Sequence, residues 1–289
     1  MATPEQTQTQ VCYRHPNRET GVSCSNCGRP ICPDCMVYAA VGIKCPECAG
    51  QTTVAARKAQ RSARARPLGG TGGITVTKVL VAANVVVYLL AVASSSGGFS
   101  PSDQFIIEWG LYGPAVADGE WWRLITAAFL HANLIHILFN MLMLWWFGQA
   151  LEAAVGPVRF AGIYAVSALA GSAGALLIAP TTFTVGASGA VFGILGAGLV
   201  LERQQIWVFG GSALGVVVLN VVFSFLISSI SIGGHIGGLV GGALATLVLS
   251  GFGRGHAVYG RIDALTVAGL VGVAALSVAV AYLSVRGLA

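Results

Sequence analysis

Seven long apolar runs follow residue 74, and they leave this chain little choice but a membrane. They lie near 76–95, 134–151, 158–179, 188–203, 206–227, 234–250 and 264–284. Each is about 16 to 22 residues, against roughly 20 for a helix that crosses the hydrocarbon. Buried core helices of a soluble protein are the competing reading, and seven in succession weigh heavily against it. Charge agrees. Only 9% of the residues are charged, against about 25% in a soluble domain, which excludes an ordinary soluble chain and a disordered one. Residues 67–289 carry 7 basic and 7 acidic side chains. The formal +5 therefore belongs to residues 1–66, which hold 9 basic and 4 acidic ones.

Charge placement also orients the spans, because basic residues favour the cytoplasmic side. With the N-terminus cytoplasmic, the inner side holds Arg57, Lys58, Arg61, Arg64, Arg66, Lys78, Arg159, Arg203, Arg254 and Arg261. The outer side then holds Arg123 and Arg286. Seven spans put the C-terminus outside. Met1–Gln10 is polar and lacks the apolar core of a signal peptide. The long connection from about 97 to 133 becomes external, and its Trp109, Trp121 and Trp122 suit a segment lying at the interface.

All seven cysteines fall between Cys12 and Cys48. A segment this short cannot bury a core of its own and needs staples. The spacing is C-x2-H (Cys12, His15) and then three C-x2-C pairs: Cys24 and Cys27, Cys32 and Cys35, Cys45 and Cys48. Four pairs supply eight ligands, enough for two tetrahedral zinc sites, and His15 accounts for the odd cysteine count. A cytoplasmic location argues against stable disulfides. The order resembles cross-braced B-box and RING-like zinc fingers. That resemblance implies Cys12, His15, Cys32 and Cys35 on one ion, and Cys24, Cys27, Cys45 and Cys48 on the other; sequential pairing stays open. Residues 51–73 hold five bases and no acid and end in Gly and Thr, so they read as a basic linker. The basic run is better explained by anionic lipid beside the first span than by nucleic acid. The module itself reads as a protein-binding or regulatory one.

Polar groups within apolar spans are costly and usually functional. The second span opens with His131, His136 and Asn140, the fourth with Ser188, the sixth with His235. All three spans run outside to inside in this topology, so these groups converge at one depth near the outer face. Ser188 and His235 form a nucleophile and its general base. His136 and Asn140, spaced i and i+4, share a helix face and can donate to an oxyanion. Ser188 at a helix start adds free N–H groups. No intramembrane Asp is present, which implies a Ser–His dyad. Small residues recur every fourth position at Gly189, Gly193, Ala197 and at Gly234, Gly238, Gly242, the pattern of closely approaching membrane helices. Such contact would bring Ser188 within hydrogen-bond reach of His235. The fourth span is short, so residues 180–187 are expected to dip inward as irregular chain beside protein or a watery cavity. His131 either lines the cavity and helps order water or, as the favoured reading, is a polar interfacial residue.

Together these residues resemble the rhomboid family of intramembrane serine proteases. The matching motifs are Trp122-Arg123, His136-x3-Asn140, Gly186-Ala187-Ser188-Gly189, and His235 followed by Gly238 and Gly242. The resemblance covers about 76–250. It implies a six-helix core with a seventh C-terminal helix, so the expected fold class is an all-α polytopic membrane protein preceded by a small zinc-stapled domain. The expected division is a module at 1–50, the linker at 51–73, a six-span core at 74–252, and a loop with the seventh span at 253–289. The resemblance also implies Ser188 as nucleophile, His235 as base and then acid, and His136 and Asn140 as oxyanion donors. It makes Trp122 and Arg123 supports of the external loop and Glu152 a structural acid. Phe192 stands where the family has an aromatic ring packed on the catalytic histidine. Catalysis would need no metal. The substrates would be transmembrane proteins cut in or beside their spans, and span five would form a gate for lateral access.

Two other readings compete. A catalytically inactive relative would bind membrane proteins and direct their fate, but such relatives lack nucleophile or base, and this chain keeps both. A transporter would spread its polar groups across the membrane. The Ala, Gly and Val content suits a bacterial plasma membrane.

Overall fold

The computed structural model describes residues 10–39, 42–49, 75–95, 98–226, 230–252, 257–258 and 262–288. The expected linker at 51–73 lies outside them, as do Arg254, His256 and Arg261. The chain divides into two compact units, residues 1–72 and 73–289.

The first unit corrects the all-α expectation, because it is built of short strands. Strand β1 (Gln10–Cys12) pairs antiparallel with β2 (His15–Thr20), and β3 (Val37–Tyr38) with β4 (Ile43–Lys44). A single 3-10 turn, Pro33–Cys35, lies between them. The buried interior is Cys12, Cys24, Ile31, Cys32, Cys35 and Cys45. One isoleucine and five sulfurs are not a hydrophobic core, and a unit this small needs another source of stability. Surface ion pairs join Arg14 to Glu47 and Arg18 to Asp34, which contribute little when exposed.

The second unit is helical. Its elements are α1 (Val76–Ala93), the loop helices α2 (Asp103–Trp109), α3 (Gly113–Ala117) and α4 (Arg123–Thr126), then α5 (Leu134–Met143) continued through a wide π turn into α6 (Gln149–Val155). Four longer or membrane-facing elements follow in α7 (Pro157–Ile178), α8 (Ser188–Arg203), α9 (Ala213–Leu226) and α10 (Ile232–Leu249), and α11 (Ala264–Val285) ends the unit. Among the described residues, five helical stretches are long and apolar enough to cross a membrane: 76–93, 134–155, 157–178, 232–249 and 264–285. Thus the chain is a mostly helical polytopic membrane protein with a small cysteine-rich β unit. Helices α8 and α9 are shorter, at 16 and 14 residues. The expected fifth span began too early at 206. Helix α9 starts only at Ala213, after Gln205, Gly210 and Gly211 in left-handed conformations that interrupt helical winding.

Helix α10 is the axis of the packing. A Cβ on Gly238 would lie 1.9 Å from the Gly189 carbonyl oxygen, and one on Gly242 would lie 2.0 Å from that of Gly193. The glycine stripes therefore put α8 and α10 backbone to backbone. The same helix touches α7 on its other stripe: a Cβ on Gly233 would come within 2.3 Å of the Gly174 oxygen. The sequence reading paired only spans four and six. The α7 side escaped it because Gly174 sits in a run rich in alanine and glycine with no polar marker.

The start of α1 is fixed from a distance. Glu152, buried on α6, accepts from the backbone N–H of Val76 and of Thr77 at 2.8 Å and from Thr77 Oγ1 at 2.7 Å. A carboxylate at a helix N-terminus satisfies its free N–H groups and complements the helix dipole.

Candidate active site

The loop before α5 and the segment before α8 are stitched together. Leu111 and Thr184 exchange backbone hydrogen bonds at 3.0 and 2.9 Å, Gly113 N–H donates to Pro180 O at 2.8 Å, and Gly186 N–H donates to Ala127 O at 2.9 Å. Tyr112 stacks on Phe183 with ring centroids 4.4 Å apart. Residues 180–187 are thus irregular backbone several of whose polar groups are met by protein, as chain without a helix requires in an apolar setting. Arg123 anchors the loop from within. It pairs with Glu120 and donates from Nη1 to the carbonyls of Ile107 (2.7 Å) and Gly110 (2.6 Å) while only 5% exposed. Trp122 beside it is exposed, as an interfacial aromatic would be.

Gly186 adopts a φ of +129°, open to glycine alone, and a Cβ there would lie 2.9 Å from His136 Cε1 and Nε2 and 3.7 Å from Ser188 Oγ. The His136 ring and the Ser188 hydroxyl therefore both border the space over this glycine. Ser188 is the first residue of α8. The His136 tautomer follows from its other nitrogen. Ala132 N–H donates to His136 Nδ1 at 3.4 Å, so Nδ1 accepts and Nε2 carries the proton. His136 N–H in turn is capped by Asn133 Oδ1 at 2.9 Å. Asn140 Nδ2 donates to His136 O at 2.9 Å, leaving its second N–H free to reach elsewhere.

His235 projects from α10 and is buried. Its ring stacks on Phe192, one turn into α8, with centroids 4.0 Å apart at 18°. Nδ1 lies 2.6 Å from the Oγ of Ser224 on α9. Among the described residues, no hydrogen bond joins Ser188 to His235. Catalytic hydrogen bonds are often long in an unliganded site and tighten with substrate. The sequence reading missed Ser224, since a lone serine in the apolar run of α9 carries no motif. A cavity of about 30 Å³ opens beside Ser188, lined by Gly186, Gly189, Ser231 and Gly234 among others. That is room for a water or two. His131, expected at the interface, is instead 1% exposed and set edge-on to His136 at 5.1 Å.

The comparisons bear on this geometry. Residues 118–252 match the Rhomboid domain family. The chain is 40% identical over 142 residues to the putative rhomboid protease YdcA of Bacillus subtilis, covering 47% of this chain and 71% of that protein. The chain belongs to the rhomboid family. It is also 34% identical over 182 residues to the rhomboid protease GluP of Bacillus subtilis, covering 62% of this chain and 35% of GluP. The rhomboid-like protease 3 of Toxoplasma gondii is 29% identical over 182 residues, covering 59% of this chain and 68% of its own length. Ser188, His235, His136, Asn140 and Glu152 all fall inside the matched rhomboid region, whereas the cysteine unit precedes it.

That unit gathers its ligands in two interleaved sets: Cys12, His15, Cys32 and Cys35, and Cys24, Cys27, Cys45 and Cys48. Within each set the ligand atoms lie within 4.8 Å of one another. The sequential alternative does not describe this arrangement. Cys27 and Cys45 sulfurs are 3.7 Å apart, close to the edge of a tetrahedron with metal–sulfur bonds of about 2.3 Å. Burial opposes ionisation of Cys12 and Cys24, yet backbone hydrogen bonds bring each down to about 6. Burial and neighbouring thiols push Cys35 and Cys45 up to about 12. Within each set, one thiol is thus eased toward the thiolate and another is held back from it.

Proposed function

We propose that this chain is an intramembrane serine protease that cuts transmembrane proteins in or next to their spans. The observation that carries the reading is the grouping of Ser188 and His136 around Gly186, with the His235 ring stacked on Phe192 of the same helix that Ser188 begins. In this reading Ser188 Oγ attacks the scissile carbonyl while His235 takes its proton. The oxyanion then faces His136 Nε2–H, the free N–H of Asn140 and the backbone N–H at the start of α8. His235 returns the proton to the leaving amine. A water from the adjoining cavity hydrolyses the acyl-enzyme with His235 again as base. Gly189, Gly238 and Gly242 keep α8 and α10 close enough for this geometry, while Arg123, Trp122 and Glu152 support it at a distance.

The reading continues outward. Helices α8 and α9 complete six spans at 74–252, and α11 adds a seventh. The N-terminus is cytoplasmic, the site lies near the outer face, and the C-terminus is outside, in a bacterial plasma membrane. The two ligand sets in the module at 1–50 hold structural zinc, and the basic linker at 51–73 meets anionic lipid. The module serves a protein partner rather than nucleic acid.

The test is cleavage of a labelled single-span substrate in liposomes by the wild type, Ser188→Ala and His235→Ala. Cleavage by the wild type alone supports the reading. Equal cleavage by all three, or none by any folded protein, overturns it in favour of a relative that binds without cutting.

A further inference from the structure

We propose that Ser224 on α9 is a positioning residue that fixes the tautomer of His235, standing where a carboxylate completes other serine-protease triads. This rests on the reading of Ser188 and His235 as nucleophile and base. A serine hydroxyl has one proton to donate and two lone pairs to accept with. Ser224 Oγ donates its proton to Asn220 O, one turn back on α9, at 2.8 Å. Its 2.6 Å contact with His235 Nδ1 is then one in which Ser224 accepts. Nδ1 therefore carries the ring proton, and Nε2 carries the lone pair. That is the tautomer a general base needs at the nitrogen left for Ser188.

The alternative arrangement turns the Ser224 hydroxyl toward Nδ1. It would leave Nε2 protonated and unable to receive a proton from Ser188. The second would also leave two acceptor oxygens, Ser224 Oγ and Asn220 O, 2.8 Å apart with no proton between them, which favours the first. Ser224 is 3% exposed and His235 7%, so little water competes for either group. Phe192 stacked on the ring limits its rotation. Two constraints thus hold one imidazole: Phe192 sets its plane, and Ser224 sets its rotation within that plane and its tautomer. When His235 accepts the Ser188 proton, Nδ1–H stays on Ser224. The hydrogen bond is then charge-assisted and stronger than in the ground state, so it favours the transition state.

The test compares wild type with Ser224→Ala, Ser224→Thr and Ser224→Val as full-length protein in detergent. Thr and Val share a shape and differ by the hydroxyl, which separates hydrogen bonding from packing on α9. Three quantities are measured: kcat and KM on the single-span substrate, the rate of labelling by a small fluorophosphonate, and the His235 tautomer by imidazole nitrogen NMR, with His235→Ala assigning the signal. The expected result is a kcat about tenfold lower in Ala and Val, the size of a neutral hydrogen bond, with KM little changed. Labelling should slow in proportion, Thr should restore both, and wild-type His235 should carry its proton on Nδ1. Overturning results are activity and labelling in Ala and Val within twofold of wild type or above it, loss in Thr equal to that in Val, or a wild-type His235 protonated on Nε2. Should no form cleave or label, the protease reading fails, and the tautomer in wild type and the Thr and Val variants still decides the role of Ser224.

Discussion

The cysteine unit and the membrane unit solve the same problem by opposite means. Each must hold polar groups in fixed geometry. The first offers candidate metal ligands for it: five buried cysteines stand where a soluble domain would put leucines. The second does so with absence of side chains, since Gly189, Gly193, Gly238 and Gly242 let two helices meet at their backbones. Ligand geometry is local and fails with its ion. Glycine packing is distributed along a helix and fails only when something fills it. The difference predicts how each unit breaks.

The largest effect is expected from metal removal. A strong chelator should unfold residues 10–49, since a structural zinc contributes about 10 kcal/mol or more to small domains of this kind. Exchange of amide protons and limited proteolysis would follow the loss, and the helicity of the membrane unit should stay. Two zinc per chain are expected by elemental analysis. Cys24→Ser with Cys27→Ser should remove one of them, and unchanged zinc would sink the ligand assignment.

Next is Gly238→Val. Its Cβ would meet a backbone oxygen that cannot yield. Overpacking costs about 3 kcal/mol at such a site, and parting α8 from α10 should also abolish cleavage. Thermal unfolding and the cleavage assay read the two. A mild effect on both would show that the helices are not in the contact described.

A smaller loss is expected for Glu152→Gln. The amide nitrogen cannot accept, so one of two backbone N–H groups at the start of α1 loses its partner, a cost of about 2 kcal/mol. The unfolding midpoint should fall while the folded enzyme still cuts. A Glu152→Gln protein that unfolds like the wild type yet cannot cleave would move this carboxylate from scaffold to chemistry. The smallest effect belongs to Gly272→Ala on α11, where a Cβ would meet nothing within 4 Å. Relief of the glycine penalty should raise stability by up to about 1 kcal/mol, and a fall would reveal packing on that face.

The same contrast explains what could be read from the chain alone. Ligand pairs three residues apart declare themselves locally, so the eight candidate ligands are legible; their interleaving is implied by the zinc-finger resemblance, and the structure groups them that way rather than sequentially. Ser188, His235 and His136 were legible because charged or polar groups are conspicuous against apolar spans. The small strands around the cysteines were not, since two- and three-residue strands carry no periodicity. The start of α9 was misplaced because Gln204–Gly211 contains apolar residues that mimic a span until the glycines turn the chain. Ser224 was invisible for a deeper reason. A serine that bonds its own helix carbonyl is common in apolar helices, and its second contact is set by how α9 lies against α10. Such non-local information has no spacing to betray it.

In the proposed reaction Ser188 is a nucleophile activated by His235. The most direct measurement is mass spectrometry of the folded protein after reaction with a fluorophosphonate. The account predicts one adduct, on the peptide containing Ser188, lost in Ser188→Ala and strongly reduced in His235→Ala. An adduct on another serine, or labelling of Ser188 that ignores His235, would contradict it.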